Sequence, residues 1–205
     1  MTDKTIICNL ALGRVGANLI SDISEDKYLG IIYQPCLEEV LCENAWGFAE
    51  QRAELAEIDN STLIAVDCLS HIYPLPADFL KLTFVNYRNL KYKIEGGNIL
   101  ANYSGLKIKY TSRVLGERTD LYFPMFSSAF SARLSLEMLY NKSNANATQI
   151  KMAKDFYDSQ LIRAIAADSS QGSFEKPQQD EWDIARMANY PGGIGDGWIP
   201  VATFI

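Results

Sequence analysis

Hydrophobic residues recur at helical spacing in the first sixty residues and again after residue 114. The clearest pattern has acidic side chains on its opposite side. Its apolar positions are Leu29, Ile32, Tyr33, Cys36, Leu37, Val40 and Leu41. We expect a long amphipathic helix here, capped either by Ser24 or by Asp22 with Glu25 three residues on. Because proline removes a backbone hydrogen bond, we expect a kink or a break at Pro35.

A shorter helical pattern precedes this one and stops at Gly16. Its apolar positions are Ile6, Ile7, Leu10, Ala11 and Val15. The spacing predicts one short amphipathic helix, followed by a loop that contains Ser21 and Asp22.

Two more helices are predicted after residue 114. The first has Phe126, Ala129, Phe130, Leu134 and Met138 on one side. Its small residues would allow close approach of a neighbour; these are Ser127, Ser128, Ser131 and Ala132. The second begins with Asn146 and Gln149 at capping-box spacing. A short polar loop joins the two helices, so we expect them to be antiparallel.

The period changes to two between about residues 63 and 114, which predicts strands. Gly96-Gly97 and Ser104-Gly105 mark turns, so we expect a β-meander. The first turn would pair Glu95 with Asn98 and Lys93 with Leu100. The second would pair Leu100 with Lys109 and Asn102 with Lys107. We expect the apolar face of this sheet to pack on the two helices that follow.

The other face of the predicted meander would collect Lys91, Lys93, Lys107 and Lys109. Lysines often protect exposed strand edges, and a basic sheet face could also contact DNA phosphates or an acidic protein. Of the functional readings we favour an intersubunit or partner-facing basic surface, because the N-terminal third of another copy would supply the opposite charge.

These patterns predict a mostly α chain with a β insertion, an α+β fold with a helical-bundle body. The body would comprise residues 1–62 and 115–168, and the strand-rich insertion residues 63–114. Residues 169–205 contain glycines, prolines and isolated bulky side chains, including Trp182 and Trp198. A disordered tail is usually poor in aromatic residues. We therefore expect an extended C-terminal docking arm that becomes ordered on a partner.

The chain has 19 basic and 25 acidic residues, with a formal charge of −6. That balance argues against a duplex-DNA-binding protein. The acidic excess is concentrated in residues 1–60, whereas residues 61–120 are basic. The asymmetry favours either a solvated surface or oppositely charged faces that meet in neighbouring copies.

Motifs for catalysis or for cofactor binding are weak. His71 is the only histidine, and no nucleophile motif accompanies it. The four cysteines have apolar neighbours, which is typical of buried reduced thiols rather than of a zinc site. The glycine-rich stretch 191–197 has neither a P-loop lysine nor a following helix. We therefore expect no enzyme activity, cofactor or metal. We also expect no membrane partner, because no apolar run approaches the roughly 20 residues of a membrane span.

Five short motifs follow one another along the chain. They are Ala11-Leu12-Gly13-Arg14-Val15-Gly16, Trp46-Gly47-Phe48-Ala49 with Arg52, Pro76-Ala77-Asp78-Phe79-Leu80-Lys81, Phe123-Pro124-Met125-Phe126, and Asp180-Glu181-Trp182-Asp183-Ile184-Ala185-Arg186. In this order they resemble the head-to-tail adaptors (tail tubular protein A family) of short-tailed bacteriophages. The resemblance covers nearly the whole chain. Pro35 and the glycine-rich end after Arg186 depart from the family pattern.

The resemblance implies a structural virion protein that is made in the host cytoplasm. It would form a dodecameric ring between the portal protein and the tail nozzle, a tail tubular protein B-like partner. DNA would pass through the ring without sequence-specific binding. The portal-docking residues would lie in the C-terminal arm, at Trp182, Ile184, Arg186 and Trp198.

Three alternatives stay open at this point. The first is another connector of the same particle, such as a stopper or a tail-completion protein. The second is a nucleic-acid-binding module that uses the lysine face. The third is a small hydrolase or nuclease built on His71 and nearby carboxylates.

Overall fold

The computed structural model describes residues 3–58, 69–86, 91–142 and 145–171. The described elements, in chain order, are α1 Lys4–Val15, α2 Lys27–Glu43, β1 Glu50–Glu54, β2 His71–Pro74, β3 Phe79–Val85, β4 Tyr92–Glu95, β5 Asn98–Ala101, β6 Lys107–Ser112, α3 Arg113–Gly116, α4 Pro124–Asn141 and α5 Ala147–Ser169. Helices and two small antiparallel sheets together make the mixed α+β fold that the sequence predicted.

Helix α2 packs against α4 in the helical core. All seven apolar positions predicted for it are buried. The helix is not broken at Pro35 but continues through it to Glu43. The predicted cap was wrong, because Asp26 caps α2 by accepting from the backbone N–H of Leu29 at 3.0 Å. Asp22 instead caps a short 3-10 turn, Ile23–Glu25.

Helix α1 ends at Gly16 as predicted, and Gly16 has a left-handed φ of 67°. The buried face matches the expected one only in part, since Ile7 and Ala11 are buried as predicted. Ile6 and Leu10 are 48% and 45% exposed, whereas Cys8 and Leu12 are buried. Apolar residues surround this short helix, so their spacing alone does not select the side that faces the core.

Helices α4 and α5 are antiparallel, as expected. The hydroxyl of Ser128, near the start of α4, donates a hydrogen bond at 3.1 Å to the side-chain oxygen of Gln160, in the second half of α5. Ser131 and Ala132 have no exposed surface, so small residues do lie at the close contact. The predicted capping box at the start of α5 is present, with Asn146 and Gln149 bonding reciprocally.

The predicted β-meander is replaced by two three-stranded sheets, in the orders β1-β6-β3 and β2-β5-β4. The Gly96-Gly97 hairpin is correct, since Glu95 pairs with Asn98 and Lys93 with Leu100. The second hairpin is wrong, because Leu100 pairs with Ile72 and Lys109 with Arg52. The chain changes sheets at Ser104-Gly105 instead of turning back on itself.

The two sheets pack on each other, not on α4 and α5 as expected. Their shared core is distinct from the helical core and contains Leu55, Tyr73, Ile99, Ala101, Leu106, Ile108 and Tyr110. The β1 strand comes before the region in which strands were predicted. Its sequence, Glu-Gln-Arg-Ala-Glu, is almost wholly polar and has no strand periodicity.

Candidate interaction surface

The four predicted lysines do not form one sheet face. Lys107 and Lys109 lie on β6, the central strand of one sheet, while Lys93 lies on β4 of the other. Lys91 is exposed just before β4. The split follows from the sheet change at Ser104-Gly105.

Acidic side chains accompany three of these lysines. Lys93 Nζ lies 2.8 Å from Glu95, Lys107 Nζ 3.4 Å from Glu54, and Lys109 Nζ 3.8 Å from Glu50. Such pairs reduce the net positive potential that a phosphate backbone would meet. This arrangement weakens the DNA-binding alternative.

A cross-strand row on the outer face of the β1-β6-β3 sheet was not found by sequence reasoning. Arg52 of β1 and Phe84 of β3 both lie opposite Lys109 of β6. The Lys109 Nζ is 5.7 Å from the centroid of the Phe84 ring. These three residues border a shallow cleft of about 370 Å³. The row depends on β1, whose polar sequence gave no strand signal.

The family-like motif around Arg14 joins α1 to α4 and α5. Its guanidinium donates to the Ser131 hydroxyl at 2.6 Å and to the Ser128 carbonyl at 3.2 Å. It also lies 5.1 Å from the Phe156 ring centroid. Partial burial lowers the pKa of Arg14, although an arginine stays charged at any ordinary pH. The residue therefore acts as a structural bridge between helices.

The Trp46 and Phe123 motifs meet in one aromatic cluster. Trp46 is fully buried, and its indole N–H donates to the Val40 carbonyl at 2.8 Å. The Trp46 ring centroid is 5.0 Å from that of Phe126, and the Phe48 ring centroid is 4.7 Å from it. Edge-to-face packing of this kind adds to the stability gained from burial.

The Asp78 motif anchors the start of β3. Its carboxylate accepts hydrogen bonds from the Tyr110 hydroxyl, at 3.0 Å, and from the Ser112 hydroxyl. Its backbone carbonyl accepts from the N–H of Arg113 at 2.7 Å. Asp78 thus fixes the point at which β6 becomes α3.

Asp168, near the end of α5, closes the turn after α2. Its carboxylate accepts from the Gly47 backbone N–H at 3.1 Å and from the Asn44 side chain at 3.3 Å. Desolvation raises the pKa of Asp168, and the two hydrogen bonds partly oppose that rise. Asp168 therefore stabilises the fold, and neither of these two contacts is with a nucleophilic side chain.

His71 and two glutamates of α2 make contacts of a structural kind. His71 lies on β2, and its Nδ1 is 2.7 Å from Glu57 Oε1. Glu38 pairs with Arg113 at 2.8 Å and Glu39 with Arg133 at 2.7 Å. Within the described ranges, no three His, Cys, Asp or Glu side chains are grouped to hold a metal ion.

Burial determines the thiol pKa values of the cysteines in the helical core. Cys8 and Cys36 are buried in the helical core, which raises their thiol pKa values to about 12 and about 11. Thiols of this kind are poor nucleophiles at neutral pH.

The predicted portal-docking residues Trp182, Ile184, Arg186 and Trp198 lie outside the described residues, as do the glycine-rich stretch and Cys68. In the described part of the chain, no helix combines the length and hydrophobicity needed to span a bilayer. Neither the models of known protein families nor the curated proteins give a significant match to this chain.

Proposed function

We propose that this chain is a structural subunit of a head-to-tail adaptor from a short-tailed bacteriophage. In this role it forms a ring between the portal and the tail nozzle and leaves a channel for DNA. The proposal starts from the ordered motifs that resemble the adaptor family.

One observation carries the proposal beyond a match of short motifs. Motifs separated by 75 to 80 positions in sequence contact each other, since Trp46 and Phe48 pack on Phe123 and Phe126. Arg14 and Asp78 likewise hold junctions between elements. Proteins that share a fold need the same side chains where its elements join. The positions of these motifs at such junctions support treating them as one family-like set.

Charge and site chemistry support a structural role. The ionisable side chains of the described residues are largely engaged in caps and in ion pairs between elements, as with Glu38, Glu39 and Asp168. A connector needs stable packing and interfaces rather than a reactive group. The alternative connectors, a stopper or a tail-completion protein, share these requirements and differ in position within the particle.

The test is association with the cognate portal. Purified full-length chain and a chain ending at Gln171 are mixed with portal rings, then sedimented and imaged by negative stain. We expect the full chain to add a ring-shaped layer. We expect the shortened chain, which keeps α5 and its Asp168 contacts, to lose portal binding. Absence of association with the full chain would refute the adaptor assignment.

A further inference from the structure

The Arg52–Lys109–Phe84 row has features that are typical of a binding surface. Like charges directly opposite each other in a sheet are unfavourable, yet Arg52 faces Lys109 across β1 and β6. Phe84, also opposite Lys109, is 55% exposed. Ion pairs of the described residues engage Lys109 and Lys107, but none of them includes Arg52. An anionic group with an apolar neighbour would match this surface.

A surface of that composition lies in the turn between α1 and α2. Leu19 is 67% exposed, and the carboxylates of Asp22 and Glu25 are exposed a few residues beyond it. The turn is held in place, because the Asn9 side chain donates to the Ile20 carbonyl and accepts from its N–H, both at 2.9 Å. We call this the acidic turn.

The acidic turn and the basic row lie at opposite ends of α2. Asp26, next to the acidic turn, caps the start of α2, whereas the Lys81 Nζ of β3 binds the Cys42 carbonyl at its end. A helix of 17 residues is about 25 Å long. The two surfaces of one copy are therefore too far apart to contact each other.

We propose that the basic row of one copy binds the acidic turn of the next copy. Arg52 and Lys109 then contact Asp22 and Glu25, while Phe84 packs on Leu19. This contact rests on the proposed function, in that it supplies the subunit interface of the adaptor ring. It is heterologous, joining two different surfaces, and a heterologous contact repeated around a closing rotation produces a ring.

The contact gives the like-charge pair a function in assembly. Arg52→Glu would convert the Arg52–Lys109 opposition into an attractive cross-strand pair within the monomer. The same change would place a carboxylate against the acidic turn of the neighbour. Assembly should therefore weaken without a loss of folding stability, which a purely structural role for Arg52 would not produce.

The experiment compares four full-length proteins: wild type, Arg52→Glu, Arg52→Glu with Glu25→Arg, and Lys91→Glu. Lys91→Glu is the matched control, because it makes the same change in charge at an exposed position just before β4, a strand of the other sheet. Ring formation on portal is measured against protein concentration, and urea unfolding is measured in parallel. We expect Arg52→Glu to keep its unfolding midpoint but to need about tenfold more protein for half-maximal ring formation. The double variant should recover, and the control should match wild type.

A second measurement identifies the contact directly. Equal amounts of ¹⁴N-labelled and ¹⁵N-labelled protein, assembled on portal, are treated with a carbodiimide that joins lysines to carboxylates in contact. Mixed-isotope peptides linking Lys109 or Lys107 to Asp22 or Glu25 are expected. The contact would be overturned if wild-type rings formed on portal without these peptides and Arg52→Glu assembled normally. The adaptor function would then still stand. No wild-type ring on portal would overturn the function itself.

Discussion

Single residues hold this fold together where distant segments meet. Arg14 reaches Ser131 across 117 positions, and Asp168 reaches Gly47 across 121. Each contact ties an end of one helix to the middle or the start of another element. Substitutions at such junctions are expected to affect stability more than substitutions on the helix surfaces.

Gly116 in α3 offers a direct test of packing. A Cβ added there would lie 2.3 Å from Cδ1 of Leu41, which is fully buried in α2. We expect Gly116→Ala to reduce the free energy of unfolding by about 1–3 kcal/mol through overpacking. Gly13→Ala is the control, because its Cβ meets nothing within 4 Å and it lies inside α1. That change should stabilise by about 0.5–1 kcal/mol. Urea denaturation measures both, and a neutral Gly116→Ala would contradict the packing.

Asp168 predicts a dependence of stability on pH. Its pKa is raised in the folded protein, so the folded state holds a proton on this carboxyl more tightly than the unfolded state does. Stability from this group is therefore greatest at low pH and declines as the pH rises through the folded pKa. Asp168→Asn keeps an oxygen for the Gly47 N–H but does not titrate. Relative to that variant, wild type should gain stability between pH 7 and pH 4, measured by urea midpoints. A constant difference would argue against the shift.

The buried thiols predict slow alkylation. With a pKa of about 11, roughly one Cys36 thiol in a thousand is a thiolate at pH 8, and Cys8 has fewer still. Iodoacetamide at pH 8 should leave both unmodified in the native protein and modify both in urea. Peptide mass spectrometry after a timed quench reads each site separately. Rapid native labelling of Cys8 would mean that the α1 side of the core opens readily.

At the level of elements, the sequence was informative where a local rule determines the outcome. The buried face of α2, the Asn146 capping box and the Gly96-Gly97 hairpin follow from spacing, a cap pair and two glycines with φ of 57° and 78°. Each involves residues that are close in sequence. Local patterns were sufficient for these elements.

The candidate surface was harder to predict, because it depends on long-range pairing. Ser104-Gly105 resembles a hairpin turn, yet β6 pairs with β1 and β3, and β1 begins more than fifty residues earlier. No local signal marks β1, whose polar residues form a strand only because β6 is available to them. Arg52 and Phe84 could therefore not be placed beside Lys109 from sequence alone, and the four-lysine face was wrong for the same reason.

The start of α5 provides a test at the element scale. Asn146 accepts from the Gln149 N–H at 2.8 Å, and Gln149 accepts from the Asn146 N–H at 3.1 Å. We expect Asn146→Ala to cost about 1 kcal/mol of stability, since it leaves an N–H of the first turn without its acceptor. Lys151→Ala, on the exposed side of the same helix, should change stability by less than about 0.5 kcal/mol. Equal effects of the two substitutions would speak against the cap.

At the scale of the whole molecule, the described residues form two separate hydrophobic cores. Helices α1, α2, α4 and α5 share one, and the two sheets share the other. Both belong to one compact unit, Met1–Gln171. The chain passes from the helical core to the sheets at β1 and returns to the helical core through α3.

This division predicts that a chain ending at Gln171 folds by itself. We expect its thermal unfolding, followed by circular dichroism, to be a single cooperative transition. The same variant is the one expected to lose portal binding. Loss of cooperativity on truncation would instead mean that the remaining 34 residues, 172–205, contribute to the stability of the unit.

The bond between Asp168 and Gly47 also has a consequence for synthesis on the ribosome. At about 5–20 residues per second, the 121 positions between the partners take roughly 6–24 seconds to translate. During that interval the turn after α2 has no carboxylate to close it, and the apolar side of α2 lacks its later helical partners. Newly made chains should therefore need protection by a chaperone until α5 has emerged, and slower translation of α5 should increase their aggregation.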